Sequence, residues 1–187
     1  DVVSTGMILS AEQAALVSDF CEQSAKKGAL VFVDPIMGDE GKLYNGVGEE
    51  TIAHMRKMVA VADCIVPNYT EAAYLADMPY HEDMTEEEAR ALTIRLHEMG
   101  AKSVVVTSAK VDGENCVVGY DGTEGEFFRI PFDLIPVRFV GTGDILAAVM
   151  LGRLVDGVPL QESTHRAMDA VRTMIDRNRD KEDKYLG

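Results

Sequence analysis

The chain has no tryptophan, only three cysteines and far fewer basic than acidic residues. Cys21, Cys64 and Cys116 are odd in number and widely spaced in apolar surroundings. No Cys-x-x-Cys pair occurs, so neither a zinc site nor a disulfide framework is indicated, and a reducing, cytoplasmic location is the expectation. Eighteen Lys and Arg stand against 32 Asp and Glu, a formal charge of −14. That balance argues against a nucleic-acid or anionic-membrane partner. An acidic protein that handles phosphate must neutralise it locally, with backbone amides, a few cations or bound metal. No apolar run approaches membrane-spanning length, and no signal peptide is visible. There is no Gly-x-x-x-x-Gly-Lys-Ser/Thr motif, which excludes a phosphate-binding loop of that type. Internal repeats and low-complexity linkers are also missing. The sequence opens at Asp1 rather than Met, directly in the apolar Val2-Val3, and so reads as a fragment or processed product.

What is present is ordinary for a soluble globular protein: 187 residues, 47% hydrophobic and 27% charged. That length suits a single domain spanning residues 1–187. Val2 to Ile8 reads as a short strand and Ala11 to Lys27 as a helix. Ser10 is its cap, and Ala14, Leu16, Val17, Phe20 and Cys21 form its apolar face. Ala29 to Val33 is a fully apolar strand, as in a sheet covered on both faces. A glycine-rich loop follows to Gly48, then a helix from Glu49 to Val61 and a second buried strand, Cys64 to Val66. Thr70 to Ala76 is a short helix with Thr70 its candidate cap. Thr85 to Met99 is another, with Thr85 and Glu88 in a capping-box pattern. Ser103 to Thr107 is the third buried strand. Short alternating runs, Asn115 to Tyr120 and Glu126 to Ile130, predict a hairpin. Helices from Asp144 to Val155 and Leu160 to about Arg177 complete the pattern, with a polar tail from Asn178. Strands alternating with helices imply right-handed βαβ units, hence a three-layer α/β/α domain with a mostly parallel sheet.

In such sheets chemistry sits beyond the carboxyl ends of the strands. After Val33 comes Asp34-Pro35-Ile36-Met37-Gly38-Asp39, with Tyr44 further along the loop. After Val66 comes Pro67-Asn68-Tyr69-Thr70-Glu71, and after Val106 comes Thr107-Ser108. Each supplies oxygen ligands of the kind that magnesium shares with phosphates. Asn68 and Glu71, three apart at a helix start, can face one cation. The plainer reading of each segment is turn chemistry, which suits any one of them better than all three together. A fourth segment, Gly141-Thr142-Gly143-Asp144, runs into the apolar Ile145 to Leu151. Two readings of it stand. Its glycines and the helix start can aim N–H groups at a phosphate, with Asp144 as a proton acceptor. Alternatively Asp144 is simply an N-cap after a glycine turn.

Together these segments resemble the ribokinase-like superfamily and, within it, the pyridoxal (pyridoxamine) kinases. The resemblance covers essentially the whole chain. It implies transfer of the ATP γ-phosphate to the 5′-hydroxymethyl of a vitamin B6 vitamer, pyridoxal, pyridoxine or pyridoxamine. Asp144 is then the general base on that hydroxyl, and the amides of Gly141, Thr142 and Gly143 hold the developing charge. Asn68 and Glu71 act through Mg2+ and its waters, and Asp34 and Thr107 help hold a monovalent cation such as K+. Asp39 and Tyr44 line the ATP phosphates, Ser108 lies on the nucleotide side, and the hairpin between Val111 and Ile130 forms part of the nucleotide cover. The resemblance further implies a homodimer, and an N-terminal part, absent from this chain, whose strands and flap grip the vitamin ring.

One departure is Val66, where the family often has Thr before Pro-Asn, which removes an oxygen from the monovalent site. The nearest rival is hydroxymethylpyrimidine (phosphate) kinase, which shares the Asp-Pro-x-Met and Pro-Asn-x-x-Glu runs. That family commonly carries Cys at the position of Asp144 and glycines after its third strand. A sugar kinase such as ribokinase fits the Asp34–Asp39 run less well. A non-catalytic nucleotide-binding module is the alternative of another class. His54, His81, His97 and His165 show no ligand spacing, and the ten methionines read as core filler. Lys42 and Arg138 lie close to the candidate phosphate segments but read more simply as surface cations.

Overall fold

β-branched runs flanked by glycine and proline build the sheet, and capped amphipathic segments build the helices between its strands. The computed structural model describes residues 2–8, 10–137 and 139–179. They form two compact units, Asp1–Phe132 and Asp133–Gly187. In chain order the first unit holds β1 (Val2–Thr5), α1 (Ala11–Lys26), β2 (Leu30–Val33), β3 (Gly38–Asp39), β4 (Lys42–Leu43), α2 (Glu49–Val59) and β5 (Cys64–Ile65). It continues with α3 (Tyr69–Ala76), α4 (Glu86–Glu98), β6 (Ser103–Val111), β7 (Glu114–Asp121) and β8 (Glu126–Pro131). The second unit holds α5 (Thr142–Val155) and α6 (Leu160–Asn178), packed against each other. Arg138, and the tail beyond residue 179, lie outside the described residues.

Six strands form one sheet in the order β1-β2-β5-β6-β7-β8. The first four are parallel and the last two antiparallel. Val31, Val33, Ile65, Val104 and Val106 point to one face and meet Met55, Met58, Leu92 and Leu96 in the main core. Phe32 and Val105 alternate to the other face and are fully buried as well. Residues at the carboxyl ends of β2, β5 and β6 are thereby set side by side.

Several boundaries differ from expectation. The α1 face consists of Ala14, Ser18 and Cys21, whereas Leu16 and Phe20 are exposed. At about 100° per residue those two fall on the opposite side of the helix from Ala14 and Cys21. Strand β6 continues to Val111 and turns into β7 through Asp112 and Gly113, both at positive φ (50° and 82°). That is the geometry of a tight two-residue hairpin. The run from Val111 to Ile130 therefore extends the central sheet as β7 and β8. The glycine-rich loop after β2 contains a hairpin of its own, β3–β4. Asn68, not Thr70, caps α3. Helix α5 begins at Thr142, two residues before the expected Asp144. The capping box of Thr85 and Glu88 forms as predicted.

Candidate active site

In the first unit the site is organised by the start of α3. The Asn68 side chain accepts the Glu71 N–H at 3.1 Å, and Glu71 Oε2 accepts the Asn68 N–H at 2.8 Å. This reciprocal box satisfies two orphan donors of the helix start. The same two side chains also reach the loop after β2. Glu71 Oε1 accepts the N–H of Met37 at 2.9 Å and of Gly38 at 3.5 Å. Asn68 Nδ2 donates to the Gly38 carbonyl at 2.8 Å. Thr70 Oγ1 accepts the Gly41 N–H at 2.8 Å. Three polar residues, the cap Asn68 and Thr70 and Glu71 of α3, thus hold the backbone of hairpin β3–β4.

That hairpin turns through Glu40 and Gly41, with φ of 51° and 77°, as a two-residue loop of this hand requires. Its strands approach so closely that a Cβ on Gly38 would lie 2.3 Å from the Lys42 carbonyl oxygen. Asp39 accepts the Glu40 N–H at 2.9 Å, and the Tyr44 N–H donates to the Met37 carbonyl at 2.8 Å. Lys42 is exposed.

Glu71 is 3% exposed. Burial pushes its carboxyl up to about 7, against the pull of the Met37 and Asn68 N–H groups, and the nearby negative charge of Asp34 adds to the rise. Asp34 itself is half-buried. The charge of Asp34 raises the cost of ionising Glu71, and a cation would relieve it, so the donor set fits a hard metal ion. Among the described residues no three His, Cys, Asp or Glu side chains converge. A magnesium ion here would complete its shell with phosphate oxygens and water.

Thr107 stands at the end of the parallel run of β6. Its N–H donates to the Pro67 carbonyl at 3.0 Å, and it bridges to Asn68 in parallel register. The next residue, Ser108, is exposed and left-handed at φ 55°, where the β6–β7 register shifts between Val106 and Ala109. A bulge with a non-glycine residue at positive φ re-aims side chains at some cost in strain. Asp34, Asn68, Glu71 and Thr107 therefore gather at the carboxyl ends of β2, β5 and β6, with Asp39 on the hairpin that Asn68 and Glu71 hold.

In the second unit Gly141 is the N-cap of α5, left-handed at φ 86°, and no side chain caps the helix. Thr142, Gly143 and Asp144 form the first turn, whose N–H groups lack intrahelical acceptors and carry the positive end of the dipole. Thr142 Oγ1 donates to the Phe139 carbonyl at 3.4 Å. Asp144 is exposed in that turn. The N-cap reading of Asp144 is thus corrected: the cap is a glycine, because only glycine takes the left-handed turn at this position without strain.

Two of the four histidines have structural partners, whereas the buried Nδ1 of His54 has no hydrogen-bond partner among the described residues. His97 Nδ1 lies 2.8 Å from the Ala101 carbonyl, and His165 pairs with Asp169 on the surface of α6. Met37, Met55, Met58 and Met150 are fully buried. What the motifs did not reveal is the role of Thr70 and of Tyr80, whose ring lies against Gly41. The one hint was Thr70 between Asn68 and Glu71, a third polar side chain on the same helical turn.

The sequence model of the phosphomethylpyrimidine kinase family matches residues 1–186. Among curated proteins, the pyridoxal kinase of Arabidopsis thaliana is 38% identical over 124 residues, 64% of this chain and 38% of that one. Pyridoxal kinase of Sus scrofa is 34% identical over 170 residues, 81% of this chain and 51% of that one. A crystal structure, with pyridoxal, of a Bacteroides thetaiotaomicron protein assigned as a phosphomethylpyrimidine kinase superposes with a TM-score of 0.91 at 32% identity. It covers 98% of this chain and 65% of its own. The chain spans about half the length, or less, of the curated relatives it matches.

Proposed function

The chain belongs to the phosphomethylpyrimidine kinase family of the ribokinase-like superfamily, among relatives that are pyridoxal kinases, and from that premise we propose that the complete protein phosphorylates vitamin B6. Its α/β fold with a mostly parallel central sheet is the ribokinase-like one. The reaction moves the γ-phosphoryl of ATP to the 5′-hydroxymethyl of pyridoxal, pyridoxine or pyridoxamine.

The observation that carries this reading is the start of α5, a glycine-capped helix with no side-chain cap and a carboxylate in its first turn. A carboxylate beside an anion-binding turn opposes anion binding, and a proton to be taken accounts for its place there. Asp144 takes it from the acceptor hydroxyl, leaving an alkoxide-like oxygen to attack phosphorus. The amides of Gly141, Thr142 and Gly143 meet the charge that develops on the phosphoryl oxygens. In the first unit, Glu71 and Asn68 would hold magnesium through its waters, and Asp34 and Thr107 a monovalent ion such as potassium. Bound magnesium supplies charge neutralisation for the ATP phosphates. Asp39 and Tyr44 line the phosphates, and Ser108 the nucleotide. The reading also includes a single catalytic domain, a cytoplasmic location and a homodimer.

A second reading is favoured by the family description itself: hydroxymethylpyrimidine phosphate as acceptor. Asp144 where that rival commonly has Cys, and Thr107-Ser108 after β6, favour the B6 vitamer. A panel of pyridoxal, pyridoxamine, hydroxymethylpyrimidine and ribose with Mg-ATP on the complete protein tests the choice. Turnover of the two B6 compounds is expected. Selective turnover of hydroxymethylpyrimidine overturns the substrate assignment, and Mg-ATP binding without turnover of any of the four overturns catalysis.

A further inference from the structure

Thr70 is 2% exposed, and its hydroxyl oxygen bonds outside the helix it belongs to. It accepts the N–H of Gly41, the second turn residue of hairpin β3–β4, at 2.8 Å. Tyr80, from the segment after α3, closes on the same residue. A Cβ on Gly41 would sit 3.0 Å from its ring, and the ring stacks on Tyr69 with centroids 4.8 Å apart. Tyr69 is itself buried and its hydroxyl accepts the His81 N–H at 3.0 Å. The tip of a hairpin with only two residues in each strand is therefore clasped by two residues, Thr70 and Tyr80. Such a hairpin has too few internal hydrogen bonds to keep one geometry alone.

We propose that Thr70 is a positioning residue for the ATP phosphates, acting through the Gly41 N–H to fix the hairpin that bears Asp39 and leads into Tyr44. The inference rests on the assignment of Asp39 and Tyr44 to the phosphate side of the nucleotide. Its physical basis is separate from that of the metal-binding pair. Glu71 and Asn68 hold the base of the hairpin, at Met37 and Gly38, whereas Thr70 holds its tip. Replacing the hydroxyl by a methyl leaves the Gly41 N–H without its acceptor while keeping shape and bulk. The hairpin then samples several positions, and the nucleotide must select one of them at the cost of affinity.

Thr70→Val and Thr70→Ser in the complete protein test this against the parent. Hydrogen exchange over residues 38–44 reads the clasp itself, with no need for activity. Calorimetric titration with Mg-ATP, and KM for ATP against KM for the acceptor, read its consequence. Thr70→Val is expected to speed exchange in that segment and weaken Mg-ATP about five- to tenfold, the size of one hydrogen bond. KM for the acceptor stays within twofold, and Thr70→Ser restores both readouts. Unchanged exchange overturns the proposal. So does faster exchange with unaltered Mg-ATP affinity, or an equal rise in both KM values. A parent protein that binds Mg-ATP but phosphorylates none of the acceptors refutes the kinase reading instead, and leaves the exchange and titration results decisive for Thr70.

Discussion

Glu71 accepts the backbone N–H of Met37 at 2.9 Å across 34 residues of chain. Helix α3 and the loop after β2 are thereby joined by a buried carboxylate, not by apolar contact alone. The residue that resemblance assigns to magnesium is also a structural clasp. Its Oε2 receives one N–H, from Asn68, and a carboxylate oxygen has two lone pairs, so capacity for a metal-bound water remains.

That clasp predicts a pH dependence. The Glu71 carboxyl, ordinarily near 4.5, is raised to about 7 by burial, so the native state binds more protons than the unfolded state between those values. This group's contribution is fully present below about pH 4.5 and is lost as pH rises through about 7. At about 1.4 kcal/mol per pH unit, the loss between pH 5 and 8 is on the order of 2–3 kcal/mol. Urea unfolding of the complete protein without magnesium measures it. Glu71→Gln should flatten that slope and, because its amide nitrogen opposes the Asn68 N–H, cost about 1 kcal/mol at pH 5. A slope that survives the substitution assigns the titration to another group.

Ser108 yields a prediction in which stability and binding part company. At φ 55° its backbone is in the left-handed region, which costs a residue with a Cβ about 1 kcal/mol or more. Ser108→Gly should raise the unfolding free energy by roughly 1 kcal/mol. Loss of the hydroxyl should raise KM for ATP by severalfold. If thermal stability and KM both stay at parent values, the bulge is neither strained nor part of the nucleotide site.

Much of this arrangement was legible because its causes are local. Strands β2 and β5 announce themselves as short apolar runs. The Thr85–Glu88 capping box involves residues three apart, and the oxygen-rich segments follow directly from strand ends. Other features depend on distant partners and leave no periodic trace. The bond from Glu71 to Met37 is one, and the clasp of Gly41 by Thr70 and Tyr80 is another. Strand β6 was longer than expected because the bulge at Thr107–Ser108 breaks its alternation. The early start of helix α5 leaves no sequence signal because Gly143, a poor helix former, lies inside its first turn.

Gly143 supplies a third prediction. It is helical, and a Cβ there would meet nothing within 4 Å. Gly143→Ala should therefore stabilise the protein by about 0.5–1 kcal/mol through helix propensity alone. In the proposed mechanism the same methyl would crowd the phosphoryl group that the Gly141–Gly143 amides receive, so kcat should drop by at least tenfold. Higher thermal stability with full activity would mean that no substrate group approaches this turn.

Asp144 carries the sharpest test. It is exposed in the first turn of a helix capped by Gly141, where its negative charge interacts favourably with the dipole. A purely structural Asp there would contribute about 0.3–1 kcal/mol, and its replacement by Asn would lower stability slightly and leave turnover intact. A general base contributes about 10²–10⁴ in rate. In the complete protein Asp144→Asn should lower kcat by that factor and leave Mg-ATP affinity unchanged or slightly higher, since one negative charge near the anion-binding turn is gone. Steady-state kinetics with pyridoxal and titration with Mg-ATP separate the two roles. Loss of less than tenfold in kcat, with nucleotide binding intact, would return Asp144 to the structural role and leave proton removal to another group or to solvent.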